Sequence, residues 1–118
     1  MKIKISIPVY NFDVWVTDWK QAQVVDKGVT EDAIGGLCYW NKGQLCVWVS
    51  TYNMKYFKNL VCHEAVHVAL EILGLLGVPA DKENQEALAY LTAYVRDEVE
   101  KVYTEARKRN KKGSKDAV

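Results

Sequence analysis

Apolar and polar residues alternate from Met1 to Ile7, short runs rich in β-branched or aromatic residues recur to position 50, and near residue 57 the spacing changes to the three-and-four rhythm of helices. The first part predicts four strands, Lys2–Val9, Asp13–Thr17, Leu37–Trp40 and Gln44–Ser50. Between the second and third, Asp18–Asp26 reads as a short helix ending at Gly28. Thr30-Glu31-Asp32-Ala33 reads as one further turn before Gly35-Gly36. Asn41-Lys42-Gly43 sits between two strand-like runs and predicts a hairpin. From Phe57 to Leu76 the pattern is helical. Gly74 to Pro79 then breaks it, and a second helix starts near Asp81, whose carboxylate suits the free amides of a first turn. Strands first and helices after predict an α+β domain, two long helices packed on one small sheet.

The helix from Phe57 to Leu76 is strongly apolar, yet one polar stripe runs along it: His63, Glu64, His67 and Glu71. Burying such a stripe without partners costs about 1–3 kcal/mol per unsatisfied group. A metal ion satisfies it. His63 and His67 are the only histidines in the chain and stand four residues apart, one helical turn, so both imidazoles reach a single ion. Glu64 between them is placed to take a proton from a water on that ion. An HExxH string arises by chance in roughly a few per thousand chains of this length, so the apolar context carries the reading.

A third ligand has to come from elsewhere. Glu71 lies eight residues beyond His63, about 12 Å along the axis, too far for both to close on one ion. Glu86, nineteen residues after His67, leaves room for the first helix to end and the chain to reverse. Glu83 is the alternative, but it falls where a first-turn carboxylate is expected simply to offset the helix dipole.

His63-Glu64-x-x-His67 followed by a helix carrying Asn84-Gln85-Glu86 resembles the gluzincin branch of zinc metallopeptidases, in a very small form. It also resembles small phage-encoded zincin-like proteins of about this size. The resemblance covers mainly residues 57–95. It implies zinc (Zn2+) held by His63, His67 and Glu86, Glu64 as the catalytic base, and a peptide or protein as substrate. It also implies that a sheet edge beside the active-site helix binds the substrate as an added strand. Gln44–Ser50 is the candidate edge, with Gln44, Cys46, Trp48 and Ser50 along it and Trp40, Trp48, Tyr52 and Tyr56 as candidate subsite residues. One departure stands out: where many gluzincins carry an acidic residue four positions after the third ligand, this chain has Tyr90. That hydroxyl is a candidate for the oxyanion or for the groups that orient the ligands.

Composition narrows the rest. With 118 residues, 49% of them hydrophobic, the chain can bury one core, and residues 1–106 read as a single domain. A formal net charge of +1 gives no overall pull toward polyanions. The beginning alternates like a strand instead of presenting the apolar run of a signal peptide, and no segment reads as a membrane span. Three cysteines argue against a disulfide framework. A cytoplasmic location is the expectation, the host cytoplasm if a phage encodes the chain. Cys62 reads as core, and Cys38 and Cys46 as small buried hydrophobes able to approach across the hairpin. The basic run from Arg107 to Lys115, in a tail of 107–118 expected to fray, is a possible phosphate grip for nucleic acid, a reading less favoured than a solvated helix end.

Overall fold

The computed structural model describes residues 1–116, with side chains described through Asn110. Its elements are β1 (Lys2–Ile7), β2 (Phe12–Thr17), α1 (Trp19–Val25), β3 (Gly36–Asn41), β4 (Gln44–Val49), α2 (Phe57–Leu75) and α3 (Gln85–Asp116). A single 3₁₀ turn, Lys82–Asn84, leads into α3. The α+β expectation holds, in the form of a four-stranded mixed sheet and three helices.

Local chemistry sets most boundaries. Pro8 has no amide to continue the ladder, so β1 stops at Ile7 and the chain turns back through Asn11 at φ 49°. Lys42 and Gly43, both at positive φ, form the two-residue turn that joins β3 to β4 in antiparallel register, Asn41 opposite Gln44. Asp18 caps α1 by accepting from the amides of Lys20 and Gln21, while Gln21 returns the bond to the Asp18 amide. At the other end of the fold, α2 closes on Gly77 at φ 71°, with Val78 N donating to Leu73 O and Gly77 N to Gly74 O.

The strand order is β1-β2-β4-β3, with β2 and β4 parallel and the other pairs antiparallel. This corrects the placement of the edge. Gln44–Val49 is the interior strand, and Leu45 through Val49 are buried on both faces. The strand beside α2 with an open side is β3. From the hairpin, Asn41, Tyr39 and Leu37 bond to β4, so the amides and carbonyls of Gly36, Cys38 and Trp40 face outward.

The sheet separates two cores. On one face Ile5, Ile7, Val14, Val16, Leu45, Val47 and Val49 meet α2 and α3 through residues such as Val61, Ala65, Val68, Ile72, Leu91, Val95 and Val99. On the other face Tyr39, Cys46 and Trp48 meet Ala22 of α1 and Val29, with Trp15, Trp19 and Leu37 around them. Cys46 and Cys38 therefore belong to opposite faces: Cys46 pairs with Tyr39, Cys38 with Val47, and the two do not approach across the hairpin. Trp48 is core rather than subsite. Residues expected to fray from Arg107 onward continue α3 as helix to Asp116, and 117–118 lie outside the described residues.

One buried side chain ties these layers together. Tyr103 of α3 donates its hydroxyl to Thr17 O at 2.6 Å and accepts from Val49 N at 2.9 Å, bridging the ends of the parallel pair β2 and β4. Its ring packs edge-on against Phe57 at the start of α2. Tyr103→Phe leaves a buried amide and carbonyl without that partner. The expected loss is about 1–3 kcal/mol in urea unfolding, with the far-ultraviolet spectrum unchanged.

Candidate metal centre

The face that α2 buries decides where its motif points. Ala65, with Val61, Val68 and Ile72, lies against the sheet. At about 100° per residue, His63 and His67 each fall about 160° round from Ala65, so they point away from the sheet. Glu64 falls about 100° to the side, toward β3. Exposure follows this wheel: both imidazoles are exposed, and Glu64 is buried at 5%.

The imidazoles converge. Nε2 of His63 and Nε2 of His67 are 3.2 Å apart, with ring centroids 4.9 Å apart. Two nitrogens each about 2.0–2.1 Å from a tetrahedral zinc stand about 3.3–3.4 Å from one another. The spacing of the pair thus fits two corners of such a site within a few tenths of an ångström. Without an ion, the same spacing is acceptable only if one nitrogen carries a proton and the other accepts it.

Glu64 is held by close approach of the sheet edge. A β-carbon added at Gly36 would lie 2.5 Å from Glu64 Cγ and 2.9 Å from its Oε2, so nothing larger than glycine fits there without displacement. Burial pushes the Glu64 carboxyl above its ordinary range, while His67, His63 and a hydrogen bond from the Cys38 backbone pull it down. A carboxylate so placed holds a proton more readily than an exposed one. Cys38, on the same wall, is pushed up to about 12 by burial and by the charges of Glu71 and Glu64. Its thiol stays protonated.

A groove of about 300 Å³ runs between α2 and β3, lined by Gly36, Leu37, Cys38, His63, Glu64, His67 and Glu71. Trp40, at the far end of β3, donates its indole Nε1–H to Glu71 Oε2 at 3.1 Å. Gly36, Cys38 and the Trp40–Glu71 bond were not anticipated as parts of this site. The paired glycines Gly35-Gly36 at the start of a strand were the one available signal.

Other expected residues stand apart from the pair. Glu86 is exposed in the first turn of α3 and does not line the groove. The helices α2 and α3 run antiparallel with Phe57 on Tyr103, which puts residues near 93 opposite His67 and Glu86 about 10 Å farther along. Glu83 lies in the first turn after the Asp81 cap, within the 3₁₀ segment, as expected, and Glu86 follows in the first turn of α3. Tyr90 is 69% exposed and borders a different, apolar cleft with Ile7, Pro8, Val9, Tyr10, Leu91 and Tyr94. Gln44, Cys46, Trp48 and Ser50 belong to the interior strand and its end, while Tyr52 and Tyr56 are exposed outside the groove. Cys62 is exposed rather than core. Arg107, Lys108 and Arg109 are exposed on α3, with Lys108 3.8 Å from Glu105. Among the described residues, no three His, Cys, Asp or Glu side chains gather into a metal-holding group, and no helix is long and apolar enough to cross a membrane. The residues present therefore fit half of a zinc site, the two imidazoles.

The close approach at Gly36 generates a paired prediction. Gly36→Ala forces Glu64 and the local backbone apart and is expected to destabilise the protein by about 1–3 kcal/mol in thermal or urea unfolding. Adding Glu64→Ala to Gly36→Ala removes the colliding atoms and should recover part of that loss, a non-additivity that measures the contact directly. Set against protein-family models, curated proteins and solved structures, the chain matches none.

Proposed function

We propose that this chain is a small zinc-dependent hydrolase of peptide bonds, of the zincin kind its motif resembles. The observation that carries the proposal is the division of labour within one helical turn: two exposed imidazoles with Nε2 atoms 3.2 Å apart, and between them a buried carboxylate facing an open strand edge. His63 and His67 would hold the ion. When bound, zinc supplies Lewis-acid polarisation of a carbonyl and a water acidic enough to attack near neutral pH.

The remaining steps belong to the chain. Glu64 accepts a proton from the attacking water as its oxygen bonds to the carbonyl carbon, and delivers that proton to the amine nitrogen as the peptide bond breaks. The raised affinity of Glu64 for a proton favours the first of these transfers. With the Cys38 amide engaged by Glu64, the remaining outward-facing amides and carbonyls of β3 offer an extended peptide a partial ladder beside the groove, so the substrate edge is Gly36, Cys38 and Trp40 in place of Gln44–Ser50. Leu37 and the protonated Cys38 thiol contribute walls without charge, and Trp40 holds Glu71 at one end. Glu86 remains the third ligand that the resemblance implies. Its position in α3 requires the first turns of that helix to move toward His67.

The test uses zinc-reconstituted protein and a mixed pool of unstructured peptides followed by mass spectrometry. Wild-type protein is expected to generate new amino termini. Glu64→Gln is expected to take up the same zinc and lose at least a hundredfold in rate, the scale of a positioned acid–base group. Zinc uptake with no cleavage by the wild type would replace the hydrolase reading with that of a metal-binding protein. Glu86→Gln completes the set, and zinc affinity unchanged in that variant removes Glu86 from the ligand set.

A further inference from the structure

His63 and His67 supply two donors to an ion that takes four, and the described part of the chain gathers no third. The direction of the pair explains the shortage. Both imidazoles are exposed at the mouth of the groove beside β3, whereas α3 packs against a different flank of α2, and Glu71, the next carboxylate along the helix, is bonded to Trp40. The outer side of the pair faces solvent.

The surroundings of the pair have the spacing of a helix-docking seam. His63, Val66, His67 and Leu70 stand at i, i+3, i+4 and i+7 and share the outward face, Val66 exposed at 39% and Leu70 at 36%. Gly74 follows one turn on, with open space where its β-carbon would be. A helix lying along this seam meets two apolar side chains beside two imidazoles and encounters no bulk at Gly74. The helix that brings matching donors is α2 of a second copy.

We propose that two copies of this chain share one zinc ion through His63 and His67 of each, α2 against α2 across a twofold axis that passes through the ion. Four imidazole nitrogens complete a tetrahedron, and the 3.2 Å spacing within each pair already suits two of its corners. Val66 and Leu70 flank the ion and bury apolar surface between the copies. Tetrahedral coordination by four side chains is closed, with no position for water. The shared ion is thus a resting form of the site proposed above, and the inference rests on that reading of the histidine pair. High protein concentration with limiting zinc favours it.

Analytical ultracentrifugation of the full chain with zinc alone, matched to zinc analysis of the same samples, tests the proposal. With chelator the protein is expected to sediment as a monomer, and with half an equivalent of zinc its mass is expected to double. His67→Ala is expected to stay monomeric at every zinc level with an unchanged far-ultraviolet spectrum, and Leu70→Glu to shift zinc-driven dimerisation to at least tenfold higher protein concentration. A monomer that binds one zinc per chain overturns the shared site and leaves the hydrolase reading standing. A chain that takes up no zinc overturns both, and a mass that doubles with chelator present overturns the role of the ion.

Discussion

The site depends on how closely α2 lies against the edge of the sheet. At Gly36 the approach leaves no room for a β-carbon, because the Glu64 side chain occupies the space where one would stand. That contact sets the rotation of α2 about its own axis, together with the apolar face of Val61, Ala65, Val68 and Ile72 that seals the core. Once the rotation is set, the rest of the motif has no freedom. Glu64 goes sideways into a dry position under β3, and the two histidines go outward into solvent. A helix rotated by one residue would bury an imidazole and expose the carboxylate, and neither the pairing of Nε2 atoms nor the desolvation of Glu64 would survive.

Desolvation and charge work against each other inside the groove. Burial drives Glu64 toward its neutral form, and the adjacent imidazoles and the Cys38 backbone oppose it. The net effect raises its affinity for a proton above that of an ordinary carboxylate. For Cys38 both influences have the same sign, since burial and the carboxylates of Glu71 and Glu64 all disfavour a thiolate. The Cys38 thiol is therefore protonated in the groove, with the two converging imidazoles beside it as nitrogen donors.

Much of this arrangement was legible in the sequence, for identifiable reasons. The span of α2, the Asn41-Lys42-Gly43 turn and the Asp81 cap each follow from local rules that tertiary packing did not override. The edge strand was misplaced although a signal existed: Leu45-Cys46-Val47-Trp48-Val49 is apolar without alternation, the mark of a strand covered on both faces, whereas Gly36 to Asn41 is mixed. The place of Glu86 could not be read at all. Spacing along the chain bounds how far a carboxylate can travel, but the side of α2 on which α3 packs, and the register of that packing, are set by Tyr103 on Phe57 and by the bridge from Tyr103 to the parallel strands. Cys62 lies about 100° round the helix from His63, away from the ligand face, which predicts a core position, yet it is exposed beside Arg96 of α3.

The proposed role of His63 and His67, holding a metal ion together through their Nε2 atoms, is open to long-range proton–nitrogen correlation spectra of the two imidazoles, recorded as zinc is added to metal-free protein. Both Nε2 resonances are expected to move to the metal-bound range together at one saturation point, while both Nδ1 atoms carry protons. Imidazole resonances that do not respond to zinc, or a response from only one of the two rings, would contradict it.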